Sequence, residues 1–523
     1  MRTRPIARVL ILVLGLLGVA TTAPAAAQGD QTYLVLYKQE ASPADAARSV
    51  QRAGGTLVAD YGQIGVLVVR SSDAAFAGRM RADRRVEGAV ATTGFGVQLE
   101  DDGADAGPPE GDLPNAPATD GDTFSPLQWD MRQISVPQAH AITGGSPAVV
   151  VGNIDTGVDK DHPDLVGNLD FDNSASCESG APDQDPAAWD DRHGHGTHTA
   201  GTIAAPANGV GIVGVAPNVR IAAIKSSTDE GYFFPEMVVC SFMWAGSRHL
   251  DVTNNSYFAD PYLFNCRNDA AQRAIWKAEM RAIRYAMAQG VTVVASAGNS
   301  GDDLSHPTLD TTSPDFPPGS EQEREITNAC VVVPVEVPGV IGVSAVGNAQ
   351  QDDDDPGPDY LKSFYSSYGV SAVEVTAPGG DSIFGSTPEA VNGRVLSTYP
   401  SERPCSRRLV DSASVPPSTY CYLQGTSMAG PHVAGVAALV ISRYGGSSTP
   451  QNGHTRAGKV AASLQQTADA QPCPSSLPAG YDAFTQTSGD PQECQGGVGH
   501  NSWYGNGQVN ALRAVTGDTG NEG

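Results

Sequence analysis

The chain has 523 residues, with 32 Lys and Arg against 58 Asp and Glu, a formal net charge of −26 and a hydrophobic share of 40%. That length exceeds one small domain, and the hydrophobic share argues against a long disordered chain. No basic face is evident, which argues against a nucleic-acid partner, and no G-x-y repeat accompanies the 59 Gly and 37 Pro, which removes a fibre.

In chain order, residues 1–27 read as a secretory signal peptide. Arg2, Arg4 and Arg8 precede an apolar run from Val9 to Ala20, and Ala25 to Ala27 offer a cleavage site before Gln28. Twelve apolar residues fall short of the roughly 20 that span a bilayer, so no stable membrane anchor is expected and the protein is expected to be secreted. Thr32 to Gly96 reads as a small α+β unit. Tyr33–Tyr37 and Ile64–Arg70 have strand character, and Pro43–Ala53 and Ala74–Arg81 have helix character. Residues 98–124 are rich in Asp, Glu, Gly and Pro and hold no Lys or Arg, the composition of a solvated linker open to proteolysis.

From residue 125 to 515, short apolar runs alternate with helical patterns. The runs are Ala148–Ile154, Val219–Lys225, Val291–Ala297 and Gly339–Val346. Between the second and third runs, Ala270–Gln289 places Ile275, Ala278, Ala282, Ile283, Ala286 and Met287 on one helical face. Buried β-branched runs alternating with amphipathic helices predict an α/β fold: a three-layer, doubly wound, mostly parallel sheet. Ligands of such sheets sit beyond the carboxyl ends of the strands. Asp352–Asp355 reads as a solvated loop, and residues 516–523 as a polar tail. The eight cysteines are even in number, lack any C-x-x-C spacing and face an oxidising compartment, so disulfides are expected. Cys405–Cys421 and Cys473–Cys494 are the nearest neighbours and the pairs favoured here, among the 105 connectivities that eight cysteines allow.

Three segments carry chemistry: Asp155-Thr-Gly at the end of a buried run, Asp191-Arg-His193-Gly-His195-Gly-Thr-His198-Thr-Ala-Gly201, and Gly425-Thr-Ser427-Met-Ala-Gly-Pro-His432-Val-Ala-Gly435. Acyl transfer needs a nucleophile, a base to take its proton and a group to orient that base. Ser427, His195 and Asp155 are residues of those three kinds. Ser427 would begin a helix, whose first amide groups favour developing negative charge.

With these motifs, and with S-A-G-N at Ser296–Asn299, H-P-D-L at His162–Leu165 and G-V-A-P at Gly214–Pro217, the chain resembles the subtilisin-like serine proteases, the subtilase family. The resemblance covers roughly Gln128 to Val515. It implies a secreted serine endopeptidase acting on proteins or peptides as a monomer. Ser427 would be the nucleophile, His195 the base, Asp155 its orienting group and Asn299 the oxyanion donor. Residues 28–97 would be the family's inhibitory propeptide, a ferredoxin-like α+β domain removed by self-cleavage. Substrate would lie against Ser256, Tyr257 and Phe258 and against Ser296, Ala297 and Gly298. The resemblance implies no cofactor for the chemistry. It maps a structural calcium site to Asp164, Asn208 and the backbone at Val210 and Ile212, oxygen ligands of the kind calcium takes. Phe258 stands where the family usually has glycine, so the preferred substrate residue is not named by the motif.

Other readings of the same residues are weaker. His193, His195 and His198 lack the aspartate that a metallo-hydrolase places before its last histidine, and residue 197 is Thr. Asp155-Thr-Gly and Asp518-Thr-Gly imitate an aspartic-protease dyad, but Asp518 lies in the polar tail. Ala429 breaks the G-x-S-x-G elbow of an α/β-hydrolase. The rival of a different class is a catalytically silent binding protein on the same scaffold. His193, His198 and His432 read as structural.

Overall fold

A computed structural model gives the structure of the protein and describes residues 30–92, 121–259, 262–350, 360–383, 393–445 and 457–519. The signal peptide, most of the acidic linker and the Asp352–Asp355 run lie outside the described residues.

The N-terminal unit runs β1 (Gln31–Tyr37), α1 (Ala46–Arg52), β2 (Thr56–Tyr61), β3 (Val66–Ser71), α2 (Phe76–Arg81) and β4 (Val86–Ala91). Its antiparallel sheet has the order β2-β3-β1-β4, the β-α-β-β-α-β arrangement of ferredoxin-like domains. The sequence pattern shows β1 and β3, which are apolar runs buried almost throughout. It hides β2, whose residues are half-buried or exposed, and β4, which Gly88 interrupts.

One face of this small sheet carries its own core of Val35, Leu67, Val69, Phe76 and Met80. The other face, with Leu34, Leu36, Val66 and Val68, joins the core of the large domain. Polar contacts reinforce that seam. Arg281 donates to the carbonyls of Tyr37 at 3.0 Å and Ile64 at 3.2 Å and pairs with Glu87 at 3.1 Å. Lys277 also pairs with Glu87, and Tyr61 Oη donates to Gly180 O at 2.7 Å.

The large domain is built on β5 (Val150–Asp155), β6 (Ala175–Ser176), α3 (His195–Ala204), β7 (Arg220–Lys225), α4 (Pro235–Ser247), β8 (Val252–Asn255), α5 (Ala270–Ala288), β9 (Thr292–Ser296), β10 (Ile341–Gln350), β11 (Tyr360–Lys362) and β12 (Val375–Pro378). The sheet runs β11-β10-β9-β8-β5-β7-β6, with β12 also on β10. All its described pairs are parallel except β10 with β11. In β5 and β7 alternate residues face opposite layers, as strand geometry requires. Val151, Ile221 and Ala223 pack in one cluster with α3 and α6 (Thr426–Tyr444). Val150, Ile154, Ala222 and Ile224 pack in the other with α4 and α5. The three-layer expectation therefore holds, and the four predicted strands and the long predicted helix fall where the periodicity places them.

All eight cysteines are bonded: Cys177–Cys240, Cys266–Cys330, Cys405–Cys421 and Cys473–Cys494. The first two close separations of 63 and 64 residues, which proximity in sequence does not reveal.

Several carboxyls are buried beside few partners. Asp251 Oδ2 accepts Val150 N at 2.9 Å, Glu336 Oε2 accepts Val332 N at 2.6 Å and Glu374 Oε2 accepts Gly342 N at 2.7 Å. Loss of hydration pushes Asp251 and Glu336 up to about 8, and Glu374 and Glu236 up to about 7. Between pH 5 and 7 the folded chain keeps protons that the unfolded chain releases, so stability falls as pH rises. Two buried imidazoles oppose this: burial pushes His162 down to about 4 and His198 down to about 3. They favour folding above their unfolded value near 6.5 and lose that contribution as pH falls. The carboxyls outnumber them. Thermal melting is expected to give a higher Tm at pH 5 than at pH 7. An equal or lower Tm at pH 5 refutes the assignment.

Candidate active site

Asp155 is the last residue of β5 and has no exposed surface. Its Oδ1 accepts His195 Nδ1 at 2.7 Å and Thr156 N at 2.7 Å, and its Oδ2 accepts Thr199 Oγ1 at 3.2 Å. His195 opens α3, and the start of that helix lies hard against the loop after β5. A Cβ on Gly196 would lie 2.1 Å from Gly157 O, so only glycine permits the approach that brings His195 to Asp155.

Asp191 holds this junction. Its Oδ1 accepts His193 N and Gly194 N, both at 2.9 Å, and Thr156 Oγ1 at 3.0 Å. Its Oδ2 accepts Thr197 N at 2.9 Å and Thr197 Oγ1 at 2.6 Å. One buried carboxylate therefore caps α3 and ties it to the Asp155 loop. The sequence reading assigned Asp191 no role; its one available signal was an acidic residue just ahead of a helix start.

Ser427 lies in the first turn of α6 and is 8% exposed. In this structure its Oγ donates to Ser256 O at 3.2 Å, and Ser256 Oγ donates to Ser427 O at 3.0 Å. Ser296 Oγ donates to Thr426 O at 2.7 Å. The helix thus lies directly on the ends of β8 and β9. A Cβ on Gly430 would come 2.8 Å from Ser296 Oγ, which gives that weak helix former a packing reason.

Asn299 follows β9. Its Oδ1 accepts Thr426 N and Thr426 Oγ1, each at 2.9 Å. With its oxygen engaged, the amide can offer only its Nδ2 donor elsewhere.

His195, Ser427 and Asn299 line one cavity of about 550 Å³, with Ser256, Tyr257, Phe258, Ser296, Ala297 and Gly298 also in its wall. Nine of the ten catalytic and substrate-contact positions expected from sequence therefore meet there, and Asp155 lies behind His195. Tyr257 stacks on Phe233 with ring centroids 4.3 Å apart, and Phe258 packs partly into the core below. The Cys266–Cys330 bridge lies close in sequence to Leu263 and Val332, which also line the wall.

Two other histidines of these motifs turn away. His198 Nε2 meets Cys421 O at 3.0 Å, and His432 bridges Met428 O at 2.8 Å and Asp130 Oδ2 at 2.9 Å. Asn254 and Ser256, parts of a glycosylation pattern, have no exposed surface.

The residues expected around calcium do come together, but not as a cation cage. Asp164 Oδ1 accepts Asn208 Nδ2 at 3.0 Å, and its Oδ2 accepts Ile212 N at 3.1 Å and Tyr420 Oη at 2.9 Å. Asn208 Oδ1 accepts Val210 N at 2.8 Å. Burial pushes the Asp164 carboxyl up to about 8. Calcium needs several free oxygens converging on one point. Here protein donors surround the carboxylate, so the arrangement does not fit that ion and nothing in the reaction is routed through one.

The model of the subtilase family matches residues 146–507. Fervidolysin of Fervidobacterium pennivorans is 31% identical over 346 residues, covering 63% of this chain and 40% of that protein, so the match takes in less than half of fervidolysin. Subtilisin DY of Bacillus licheniformis is 33% identical over 309 residues, covering 59% of this chain and 81% of its own. Among solved structures, an epidermin leader peptide processing serine protease from Staphylococcus aureus aligns with a TM-score of 0.63 at 21% identity. That alignment covers 93% of this chain and 98% of the other, and it bears on fold alone.

Proposed function

Given that this chain belongs to the subtilase family, whose members are serine endopeptidases, we propose that it hydrolyses peptide bonds through an acyl-enzyme intermediate. We further propose that it is made as a secreted precursor that processes itself. The observation that carries the reading is the buried 2.7 Å contact of His195 Nδ1 with Asp155, made at the cavity that also holds Ser427 and Asn299.

In this mechanism Asp155 accepts a hydrogen bond from His195 Nδ1–H, which holds the tautomer in which Nε2 is the base. Ser427 Oγ turns from Ser256 O, gives its proton to His195 and attacks the substrate carbonyl. The oxyanion is met by Asn299 Nδ2 and by the Ser427 amide at the start of α6. His195 then passes the proton to the leaving amine, and a water repeats the sequence to release the acid. The substrate backbone pairs with the segment Ser256–Phe258 that follows β8 and meets Ser296–Gly298 in the wall of the same cavity.

Two features support a precursor. The unit up to Thr92 shares a continuous apolar seam with α4 and α5, reinforced by Arg281. The acidic stretch that follows is a connection suited to cleavage. Ser427→Ala is expected to leave the chain uncut between Thr92 and Ser125, read as a single band at precursor mass. Efficient processing in that variant, purified away from other proteases, refutes self-cleavage.

A further inference from the structure

The cavity that holds Ser427 also holds a carboxylate that the mechanism does not use. Asp315 lines it and is only 9% exposed. Among the described residues neither of its side-chain oxygens has a hydrogen-bond partner. Burying a carboxylate with nothing to balance it is costly, and such groups are held for a cation or stay protonated.

The protein has an obvious cation nearby, and it is already engaged. Arg324 pairs with Asp310, donates to Phe264 O at 3.0 Å and donates to Gln272 Oε1 at 3.3 Å. Asp310 is satisfied further by Ser313 Oγ at 2.7 Å and Thr312 N at 2.9 Å. Asp310 is thus a completed structural pair, while Asp315 is not. No Lys or Arg lines the cavity among the described residues. Glu321, exposed and also in the wall, adds a second negative charge.

Desolvation pushes Asp315 up to about 8, and the charges of Asp310 and Glu321 act in the same direction. A ligand that carries a positive charge into the cavity relieves both effects. The wall also offers Tyr232 and Phe258, aromatic faces of the kind that accept a guanidinium or ammonium group.

We propose that Asp315 is the specificity-determining residue of this cavity and that the enzyme cleaves after arginine or lysine, whose cationic head pairs with Asp315 while Ser427 attacks that residue's carbonyl. This rests on the peptidase reading above. A carboxylate in the specificity pocket is a general way for a protease to select a basic side chain. Discrimination is strong because a neutral side chain leaves the buried carboxylate unpaired.

The test is kcat/KM on matched peptides that differ only in the residue before the scissile bond: arginine, lysine, citrulline, leucine or phenylalanine. Rates are referred to active sites titrated by phosphonylation of Ser427, which separates loss of fold from loss of selectivity. Arginine or lysine is expected to exceed citrulline and leucine by about 100-fold or more. Asp315→Asn is expected to cut the arginine-to-leucine ratio by about 100-fold, and Glu321→Gln by roughly 3-fold with a salt-dependent effect. Similar rates on all five peptides, or a ratio unchanged by Asp315→Asn, overturn this proposal and leave the peptidase reading standing. No hydrolysis of any peptide, with Ser427 unlabelled, overturns both.

Discussion

Replacing His195 with alanine is expected to lower kcat by about a million-fold while leaving KM nearly unchanged, the size of loss established for subtilisin. The reason is specific to how this chain places the ring. Its Nδ1 side is committed to Asp155 at 2.7 Å, so Nε2 is the ring nitrogen that would take the serine proton. Among the described residues, no other histidine lines this cavity. His198 and His432 are fully buried, and their ring nitrogens bond to Cys421 O, Met428 O and Asp130 Oδ2. Without a base, the Ser427 hydroxyl stays protonated at neutral pH and is a poor nucleophile. Asn299 and the Ser427 amide remain, so a small residual rate above water persists. Burst kinetics on an activated ester, with folding checked by Tm, would measure the effect. A loss of less than about a hundredfold would mean that another group takes the proton.

Asp155→Asn is expected to lower kcat by about ten-thousandfold, a scale known for the equivalent change in serine-protease triads. Asp155 serves three donors: the His195 ring, Thr156 N and Thr199 Oγ1. An amide has one acceptor oxygen, and its NH₂ would face either the imidazole or Thr199. If the NH₂ faces the ring, His195 keeps its proton on Nε2, the wrong tautomer for a base. The variant should therefore recover part of its rate at high pH, where hydroxide deprotonates serine directly. KM should change little, because Asp155 has no exposed surface. A variant with near-normal kcat would show that His195 is oriented by something other than this carboxylate.

Asp155, His195, Ser427 and Asn299 were readable from the chain because each sits in a short motif dictated by local geometry. Glycine must stand where α3 meets the β5 loop, and a polar residue must end a buried strand. The alternation of apolar runs and amphipathic helices likewise exposed the layered sheet, since period and burial are properties of neighbouring residues. The hidden strands β2 and β4 show the limit of that logic. Half-buried edge residues and a central glycine carry no clear period.

What the sequence by itself determined was the kind of chemistry and the layered α/β fold. Only the tertiary structure decided which partners each polar group would have. It paired Cys177 with Cys240 and Cys266 with Cys330 across more than sixty residues, and it filled the Asp164 carboxylate with donors from Asn208, Ile212 and Tyr420. It gave Arg324 to Asp310 and none to Asp315. The physical reason is that a carboxylate's role depends on the dielectric and donors around it, and those come from segments far apart in the chain.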